Sequence, residues 1–388
     1  MQEENFETIA IRLQAERSQY KEHSVPLYLT SGYKFDDSED MRALFANEKE
    51  GNVYSRYANP NTTELIDKMA ALEGAETGWV TATGMAAIFT TFATFLSAGD
   101  HILSSRAIFG STHQLLNGVF PKWNISYTYA DLDKKEQWEN GVQPNTKMIF
   151  IETPSNPGIE IIDLEWIGEF AKKHNIMLVV DNCFATPYLQ QPIKYGADIS
   201  IHSATKFIDG QGRTLGGVIL STDKIIRLIE AFARHSGPAM SPFNAWILSK
   251  SLETLAVRMD RHCESALKVA EFLEAHPKIT KVRYPFLPSH PQYEIAKKQM
   301  RQGGGIVTMV IDGGAPAAAA FMDKLKMFSI SSNLGDSRSI ATHPATSTHS
   351  KLAEEERLSV GIEQGTIRLS IGLEHINDIL GDLALGLS

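Results

Sequence analysis

The sequence has few of the features that mark secreted, membrane or nucleic-acid-binding proteins. It contains only two cysteines in 388 residues, Cys183 and Cys263, which excludes a disulfide framework and favours a reducing cytoplasm. Its net charge is −9 and it has no basic run, so nucleic acid and anionic membrane surfaces are not expected partners. The acidic N-terminus lacks the basic start and apolar core of a secretory signal. We therefore expect a cytoplasmic protein.

Long hydrophobic runs and metal-ligand spacings are absent as well. Residues 77–99 carry no charge, but their strongly apolar part covers only residues 85–96, which is nearer the length of a buried helix than of a membrane span. The twelve histidines show no HExxH or similar spacing, so no metal site is predicted.

The order of apolar segments predicts an α/β fold. Helix-period segments, including residues 164–174, alternate with short apolar runs at 147–151, 177–180, 198–201 and 217–220. Apolar runs without two-residue alternation are typical of strands buried on both faces, and strand–helix alternation favours a parallel sheet covered by helices.

The pattern changes after residue 245. A long helix is predicted over residues 245–276, followed by alternating runs at 306–311 and 366–371 that indicate an antiparallel sheet. We therefore expect an irregular N-terminal arm over residues 1–50, a larger α/β domain over 51–245 and a smaller α+β domain over 246–388.

A lysine that follows a buried-type strand is the strongest chemical signal. In ADISIHSATKFIDGQGR, Lys206 comes after the strand and stands beside Ser203 and Thr205. Such surroundings lower an amine pKa enough for Schiff-base chemistry, and the hydroxyls can hold a phosphate. Most lysines are solvated, however, so this segment alone supports attachment of pyridoxal 5′-phosphate (PLP) and a surface lysine equally.

Two further signals occur at element ends. Asp181 ends the apolar strand of MLVVDNCFATP, where a carboxylate can cap a turn or pair with a pyridinium nitrogen. Together with Lys206, the cofactor interpretation is favoured. In WVTATGMAAIF, Thr83 and Gly84 precede a helix, and backbone N–H groups at a helix start bind anions. They would supply the other half of a phosphate cup.

Over almost its whole length, the chain resembles the Cys/Met-metabolism family of PLP enzymes, which includes cystathionine γ-synthase, the γ- and β-lyases and the homoserine-ester sulfhydrylases. The resemblance implies the aspartate-aminotransferase-like PLP fold type I: a mixed or parallel seven-stranded sheet domain, a smaller C-terminal α+β domain and an N-terminal arm. The motifs that carry it are YSRYANP (54–60), ALEGAE (71–76), TGMAAI (83–88), ETPSNP (152–157), VVDNCFATP (179–187), HSATK (202–206), NLGD…THPATSTH (333–349) and TIRLSIGLE (366–374).

The resemblance also implies how PLP would be bound. Lys206 would hold the cofactor covalently and move protons, and Asp181 would pair with the ring nitrogen. Asn156 would contact the 3′-oxygen, and Phe109 stands at the ring-stacking position. The implied phosphate ligands are Gly84, Met85, Ser203 and Thr205.

Substrate binding and assembly follow from the same resemblance. Arg368 would clamp the substrate α-carboxylate by a bidentate pair, with help from Asn333. Tyr54 and Arg56 match a pair that the family's arm donates to the phosphate of a neighbouring subunit. A homotetramer built as a dimer of dimers is therefore expected.

Two positions distinguish branches of the family. The ring-stacking position, commonly Tyr, is Phe109, which keeps the stacking but has no hydroxyl for proton transfer. Ser111 stands where methionine γ-lyases have a reactive cysteine, which counts against that activity. With NVYSRYANP, SATKFIDGQGR and SGPAMSPFNAW, these residues are most similar to the family's sulfhydrylases that act on O-succinylhomoserine. The expected reaction, part of methionine biosynthesis, is γ-replacement of succinate by sulfide to give homocysteine.

Other interpretations stay open from the sequence. Within the family they are a cystathionine γ-synthase that uses cysteine, an enzyme for O-acetylhomoserine, and a γ-lyase. From another class, a catalytically silent binding protein is disfavoured by Lys206, Asp181 and Arg368 occurring together. Cys183 lies two residues after Asp181 and could be near the cofactor, although a small buried thiol is favoured. His202 and His343 are interpreted as scaffold.

Overall fold

The computed structural model describes residues 4–46, 48–350 and 353–388; residues 1–3 and 47 of the predicted arm lie outside them. Seven strands form the larger of two sheets in this part of the chain. They are β1 (Thr77–Thr81), β2 (His101–Ser105), β3 (Ser126–Ala130), β4 (Thr146–Glu152), β5 (Met177–Asp181), β6 (Ile199–Ser203) and β7 (Gly217–Ser221).

The larger sheet is mixed, in the order β1-β7-β6-β5-β4-β2-β3. Strand β7 runs antiparallel to both of its neighbours, whereas β2 to β6 are mutually parallel. The predicted seven-stranded sheet is therefore confirmed, including the strands predicted at β4 to β7. The sequence does not predict strands β1, β2 and β3, because TGWVT, HILSS and SYTYA mix apolar side chains with hydroxyls instead of forming apolar runs.

Helices cover both faces of this sheet. The first helices in chain order are α1 (Phe6–Arg12), α2 (Ser38–Phe45), α3 (Pro60–Glu73), α4 (Gly84–Phe95), α5 (Gly110–Gln114), α6 (Lys135–Gly141), α7 (Leu164–His174), α8 (Thr186–Leu189) and α9 (Asp223–Ser236). On β4, Met148 and Phe150 pack in one core with α4, whereas Ile149 and Ile151 pack in another with α7. This burial on both faces explains why the central strands are uniformly apolar.

Most of the uncharged residues 77–99 belong to β1 and α4, and α4 packs into the core as expected for a buried segment, whereas residues 97–99 are exposed. None of the helices in the described ranges has both the length and the apolar character needed to cross a bilayer.

The single helix predicted over residues 245–276 is wrong: two helices, α10 (Pro242–Leu252) and α11 (Leu255–Glu274), occupy this region. The carbonyl oxygen of Ser251 accepts from the Thr254 N–H at 3.2 Å and from the Arg258 guanidinium at 3.0 Å. The Ser251 carbonyl oxygen thus bonds a turn N–H and a side chain, whereas in a continuous helix it would accept the backbone N–H four residues later. Neither glycine nor proline marks this break, so the sequence pattern gives no sign of it.

The smaller sheet contains five strands in the order β10-β11-β12-β9-β8. Its strands are β8 (Ile279–Arg283), β9 (Ile306–Ile311), β10 (Ser329–Ile330), β11 (Ile340–Thr342) and β12 (Thr366–Ser370), and the last helices are α12 (Tyr293–Gln299), α13 (Gly314–Lys324), α14 (Glu354–Ser359) and α15 (Ile376–Leu387). The predicted antiparallel pairing of residues 306–311 with 366–371 is present as β9–β12, although β10 and β11 pair in parallel. The predicted domain boundary near residue 245 falls within α10, which follows the last strand of the larger sheet and precedes the first strand of the smaller sheet along the chain. The boundary itself stays a prediction.

Candidate active site

A cavity of about 380 Å³ opens where the larger sheet meets the smaller one. Three parallel strands end at it: β4 at Glu152, β5 at Asp181 and β6 at Ser203. In α/β sheets ligands bind outside the carboxyl ends of strands, so this is the expected edge. Ten of the twelve predicted site residues line the cavity, namely Gly84, Met85, Phe109, Asn156, Asp181, Ser203, Thr205, Lys206, Asn333 and Arg368.

Lys206 lies in the turn that follows β6, and its Nζ donates a hydrogen bond to Asn333 Oδ1 at 2.7 Å. Burial lowers the pKa of Lys206 below its ordinary value, and the positive charge of Arg368 acts in the same direction. A neutral amine is therefore more accessible here than on a surface lysine, which suits a nucleophile and a proton acceptor.

The turn that carries Lys206 is fixed from behind by Arg258 of α11. Its guanidinium donates to the carbonyl oxygens of Phe207 at 2.6 Å and Ile208 at 3.1 Å. Gly210 has a φ of +69°, and a Cβ there would lie 2.2 Å from Arg258 Nη1. This position requires glycine for both its conformation and its close approach to the arginine.

Asp181 is 7% exposed, and its Oδ1 accepts the Cys183 N–H at 3.0 Å. Burial raises the pKa of Asp181 to about 6, because the cavity gives its charge little solvation. Cys183 also lines the cavity, and burial raises the pKa of its thiol, which stays protonated at neutral pH. A cationic ring nitrogen placed beside Asp181 would supply the counter-charge that the carboxylate lacks.

The start of α4 and the end of β6 form a cup for an anion. Gly84 and Met85 stand in the first helical turn, where backbone N–H groups have no intrahelical acceptor. A Cβ on Gly84 would lie 2.6 Å from Ser203 Cβ, so only glycine allows the two segments to approach this closely. Ser203 and Thr205 add hydroxyls to the same cavity wall. The cup matches the predicted phosphate site.

Arg368 is only 1% exposed and projects from β12. Its Nη1 donates to Asn156 Oδ1 at 2.9 Å, and its Nη2 donates to the Ser332 and Asn333 carbonyl oxygens, both at 3.1 Å. Burial lowers the pKa of Arg368 to about 10, so it stays charged at neutral pH. Among the described residues its Nε has no hydrogen-bond partner and no carboxylate comes within ion-pair distance.

Tyr54 and Arg56 lie outside the cavity lining. The Arg56 guanidinium packs over the rings of Tyr54 and Tyr57 and donates to the Arg234 carbonyl oxygen. Neither side chain therefore lines the cavity of its own subunit. That they bind the phosphate in a neighbouring subunit stays a prediction.

Glu152 is a cavity residue that sequence reasoning missed. It is 4% exposed and its Oε2 accepts the backbone N–H of Phe109 at 2.7 Å. The sequence contains a signal for it, because Glu152 ends an apolar strand as Asp181 does.

The two histidines interpreted as scaffold make structural contacts. His202 Nε2 lies 2.9 Å from Glu73, and the His343 ring forms hydrogen bonds with the Thr346 hydroxyl and the Gln364 carbonyl oxygen.

Residues 7–388 match the family described as Cys/Met metabolism PLP-dependent enzyme. The chain belongs to this family. It is 46% identical to an O-succinylhomoserine sulfhydrylase of Pseudomonas aeruginosa, over 99% of this chain and 95% of that protein. It is 39% identical to an L-methionine gamma-lyase of Fusobacterium nucleatum, over 100% of this chain and 99% of that protein.

Solved structures of the family agree with the fold. A putative O-acetylhomoserine (thiol)-lyase from Campylobacter jejuni, solved with N'-pyridoxyl-lysine-5'-monophosphate, superposes with a TM-score of 0.96 at 36% identity, covering 99% of this chain and 100% of that one. The chain is therefore a PLP-dependent enzyme of fold type I, as the sequence predicted. The cavity fits this cofactor: it holds a buried carboxylate, an anion cup and a lysine of lowered pKa within one enclosure.

Proposed function

We propose that this enzyme catalyses γ-replacement on O-succinylhomoserine, with sulfide as the nucleophile, to give L-homocysteine and succinate in methionine biosynthesis. The bond between Cγ and the ester oxygen breaks, a bond between Cγ and sulfur forms, and succinate leaves. The P. aeruginosa relative that carries this name is 46% identical, which supports the choice of reaction. Phe109 and Ser111 support it as well, since the lyase branch has a cysteine where this chain has Ser111.

The observation that carries the proposal is the buried, unpaired cation of Arg368. Only neutral oxygens accept its hydrogen bonds, although a buried charge is costly unless an anion accompanies it. The α-carboxylate of an amino acid supplies such an anion and accepts two parallel hydrogen bonds from a guanidinium. Asn333 helps to define the same site through its carbonyl oxygen.

Eight other lining residues would hold the cofactor. PLP, when bound, withdraws electrons from the substrate and makes its α- and β-protons acidic. Lys206 would attach it through Nζ, Asp181 would pair with the ring nitrogen, Asn156 would contact the 3′-oxygen, and Phe109 would stack on the ring. Its phosphate would be held by Gly84, Met85, Ser203 and Thr205.

Lys206 is also the residue that moves protons. Its Nζ lies in a cavity where burial keeps the pKa of the amine below its ordinary value. A larger neutral fraction can then accept the α-proton and return a proton at the end of the reaction. Asn333, whose Oδ1 lies 2.7 Å from this Nζ, orients the amine.

The choice of sulfide follows from what Phe109 lacks. A phenol at this position could hydrogen-bond the polar groups of a second amino acid, whereas a phenyl ring cannot. Cysteine as a nucleophile would lose water from its amine and carboxylate without gaining a partner there. Sulfide carries neither group, so the absence of a donor costs it nothing.

The decisive experiment offers O-succinylhomoserine and O-acetylhomoserine, each with sulfide or cysteine, and identifies the products by mass spectrometry. We expect the highest kcat/KM for O-succinylhomoserine with sulfide, yielding homocysteine. Faster formation of cystathionine at equal nucleophile concentration would replace the proposal with a cystathionine γ-synthase. Release of a keto acid and ammonia from methionine at a comparable rate would replace it with a γ-lyase.

Assembly and location complete the proposal. We infer a cytoplasmic homotetramer in which Tyr54 and Arg56 reach the phosphate of the neighbouring subunit. Tyr54 is 41% exposed, so its side chain is accessible to a neighbouring subunit.

A further inference from the structure

Glu152 is a buried carboxyl that the proposed reaction does not use. It ends β4 at the cavity wall, and the register of the sheet pairs it with Asp181 at the end of β5. In parallel strands, residues paired in register point to the same side, so the two carboxyls lie next to each other. Both are buried, at 4% and 7% exposure.

The contacts of Glu152 connect it to the ring-stacking position. Its Oε2 accepts the N–H of Phe109 at 2.7 Å. Phe109 immediately precedes the short helix α5 and has no side-chain cap of its own. The Glu152 carboxyl therefore fixes the backbone from which the Phe109 ring projects into the cavity.

The charges around Glu152 decide which of the two carboxyls holds a proton. Asp181 and the Cys183 thiol face it from β5 and the following turn, and Arg368 faces it from β12. Burial raises the pKa of both carboxyls, and the charge of Asp181 raises the pKa of Glu152 further. Two adjacent buried carboxyls do not both ionise readily. A cationic ring nitrogen beside Asp181 would keep that carboxyl ionised, so the proton of the pair would be held by Glu152.

We propose that Glu152 is a positioning residue that works in its neutral, protonated form: it fixes Phe109 against the cofactor ring and leaves the negative charge of the pair on Asp181. A neutral Glu152 also offers Arg368 no counter-ion, which keeps that cation available to the substrate. The inference rests on the roles of Asp181 and Phe109 in the proposed function.

The test compares Glu152→Gln, Glu152→Ala and the control Glu160→Gln, which alters another partly buried carboxyl outside the cavity. Glutamine keeps an acceptor oxygen and is always neutral, so we expect PLP affinity and the visible circular dichroism of the bound cofactor to match wild type. Alanine removes the acceptor for the Phe109 N–H, so we expect roughly tenfold weaker PLP binding and an altered dichroic band. Glu160→Gln should change neither measurement.

Two results would overturn the inference. If Glu152→Gln lost PLP affinity and dichroism as Glu152→Ala does, the carboxyl would have to act as an anion. If Glu152→Ala matched wild type, the residue would position nothing. A Phe109→Ala, Glu152→Ala double variant should be no worse than Phe109→Ala alone, because Glu152 acts through Phe109; additive losses would contradict this.

A direct measurement covers the case in which Glu152→Ala does not fold. The infrared difference spectrum of wild type minus Glu152→Gln should contain the carbonyl stretch of a protonated carboxylic acid at neutral pH, and its absence would reject the neutral form. Borohydride reduction should attach a pyridoxyl group to Lys206 in every folded variant. Absence of this group from the reduced wild-type enzyme would reject the cofactor assignment, so failure of the proposed function can be distinguished from failure of the inference about Glu152.

Discussion

Arg368 combines three properties that rarely occur together: it is charged, almost fully buried and hydrogen-bonded only to neutral oxygens. We expect Arg368→Lys to lower kcat/KM for O-succinylhomoserine roughly 100-fold or more, since lysine cannot form the bidentate pair and hydrogen bonds to charged groups each contribute about 1.5–3 kcal/mol. Steady-state kinetics at several donor concentrations would measure the loss.

The control for this substitution is Arg338→Lys, because the Arg338 side chain is 65% exposed and pairs with Asp336 away from the cavity lining. It should leave kcat/KM near the wild-type value. An Arg368→Lys enzyme that binds PLP and keeps wild-type kcat/KM would show that the substrate carboxylate is bound elsewhere.

At the scale of elements, the turn after β6 depends on a side chain from α11. Arg258→Met leaves the buried carbonyl oxygens of Phe207, Ile208 and Ser251 without the guanidinium. Each unsatisfied buried acceptor costs about 1–3 kcal/mol, and some of these oxygens will recover a partner. We therefore expect a loss of roughly 2–4 kcal/mol in the free energy of unfolding in urea, together with weaker PLP binding through the displaced Lys206.

Arg261→Met is the matched control, since Arg261 lies one turn further along α11 with its side chain 37% exposed. Its effect on the free energy of unfolding should stay within about 1 kcal/mol. Equal losses from both substitutions would mean that Arg258 contributes only general helix packing.

The elements that the sequence predicts best are those whose pattern has a single physical cause. Strands β4 to β7 are buried on both faces, and their apolar runs follow directly from that burial. The break between α10 and α11 has no such pattern, because it depends on a guanidinium reaching back to the Ser251 carbonyl oxygen. The site divides in the same way. Lys206 is suggested by its own segment and Asp181 only in combination with Lys206, whereas Arg368 requires the family resemblance.

Glu152 shows a further limit of sequence reasoning. The proton on this residue depends on Asp181, which lies beside it only because β4 and β5 are neighbours in register. Strand order is a tertiary property that local periodicity does not contain. A carboxyl at the end of an apolar strand can be recognised from sequence, but its protonation state cannot.

At the scale of the whole molecule, we expect Arg56 to serve the active site of a neighbouring subunit. In its own subunit the guanidinium stacks on Tyr54 and Tyr57, outside the cavity lining. If it serves the neighbour, mixing Arg56→Ala with Lys206→Ala subunits creates one site in each mixed dimer that carries neither change. We expect activity to reappear after the two inactive variants are unfolded together and refolded.

The matched measurement refolds each inactive variant alone, which should stay inactive, and native mass spectrometry verifies the mixed dimers. Verified mixed dimers that show no activity would place Arg56 in its own subunit's function. Mixed Arg56→Ala and Arg368→Ala subunits should behave in the same way, because Arg368 lies in the same cavity as Lys206.

The position of β12 along the chain determines when, during synthesis, the active site can be completed. It is the last strand in the chain, yet it occupies the middle of the smaller sheet, between β11 and β9, and carries Arg368. Nascent chains fold from the N-terminus as they are made, so every residue proposed to hold the cofactor leaves the ribosome well before Arg368 does. The part of the cavity proposed to recognise an amino acid is therefore completed later in synthesis than the part that this chain itself supplies to hold the cofactor.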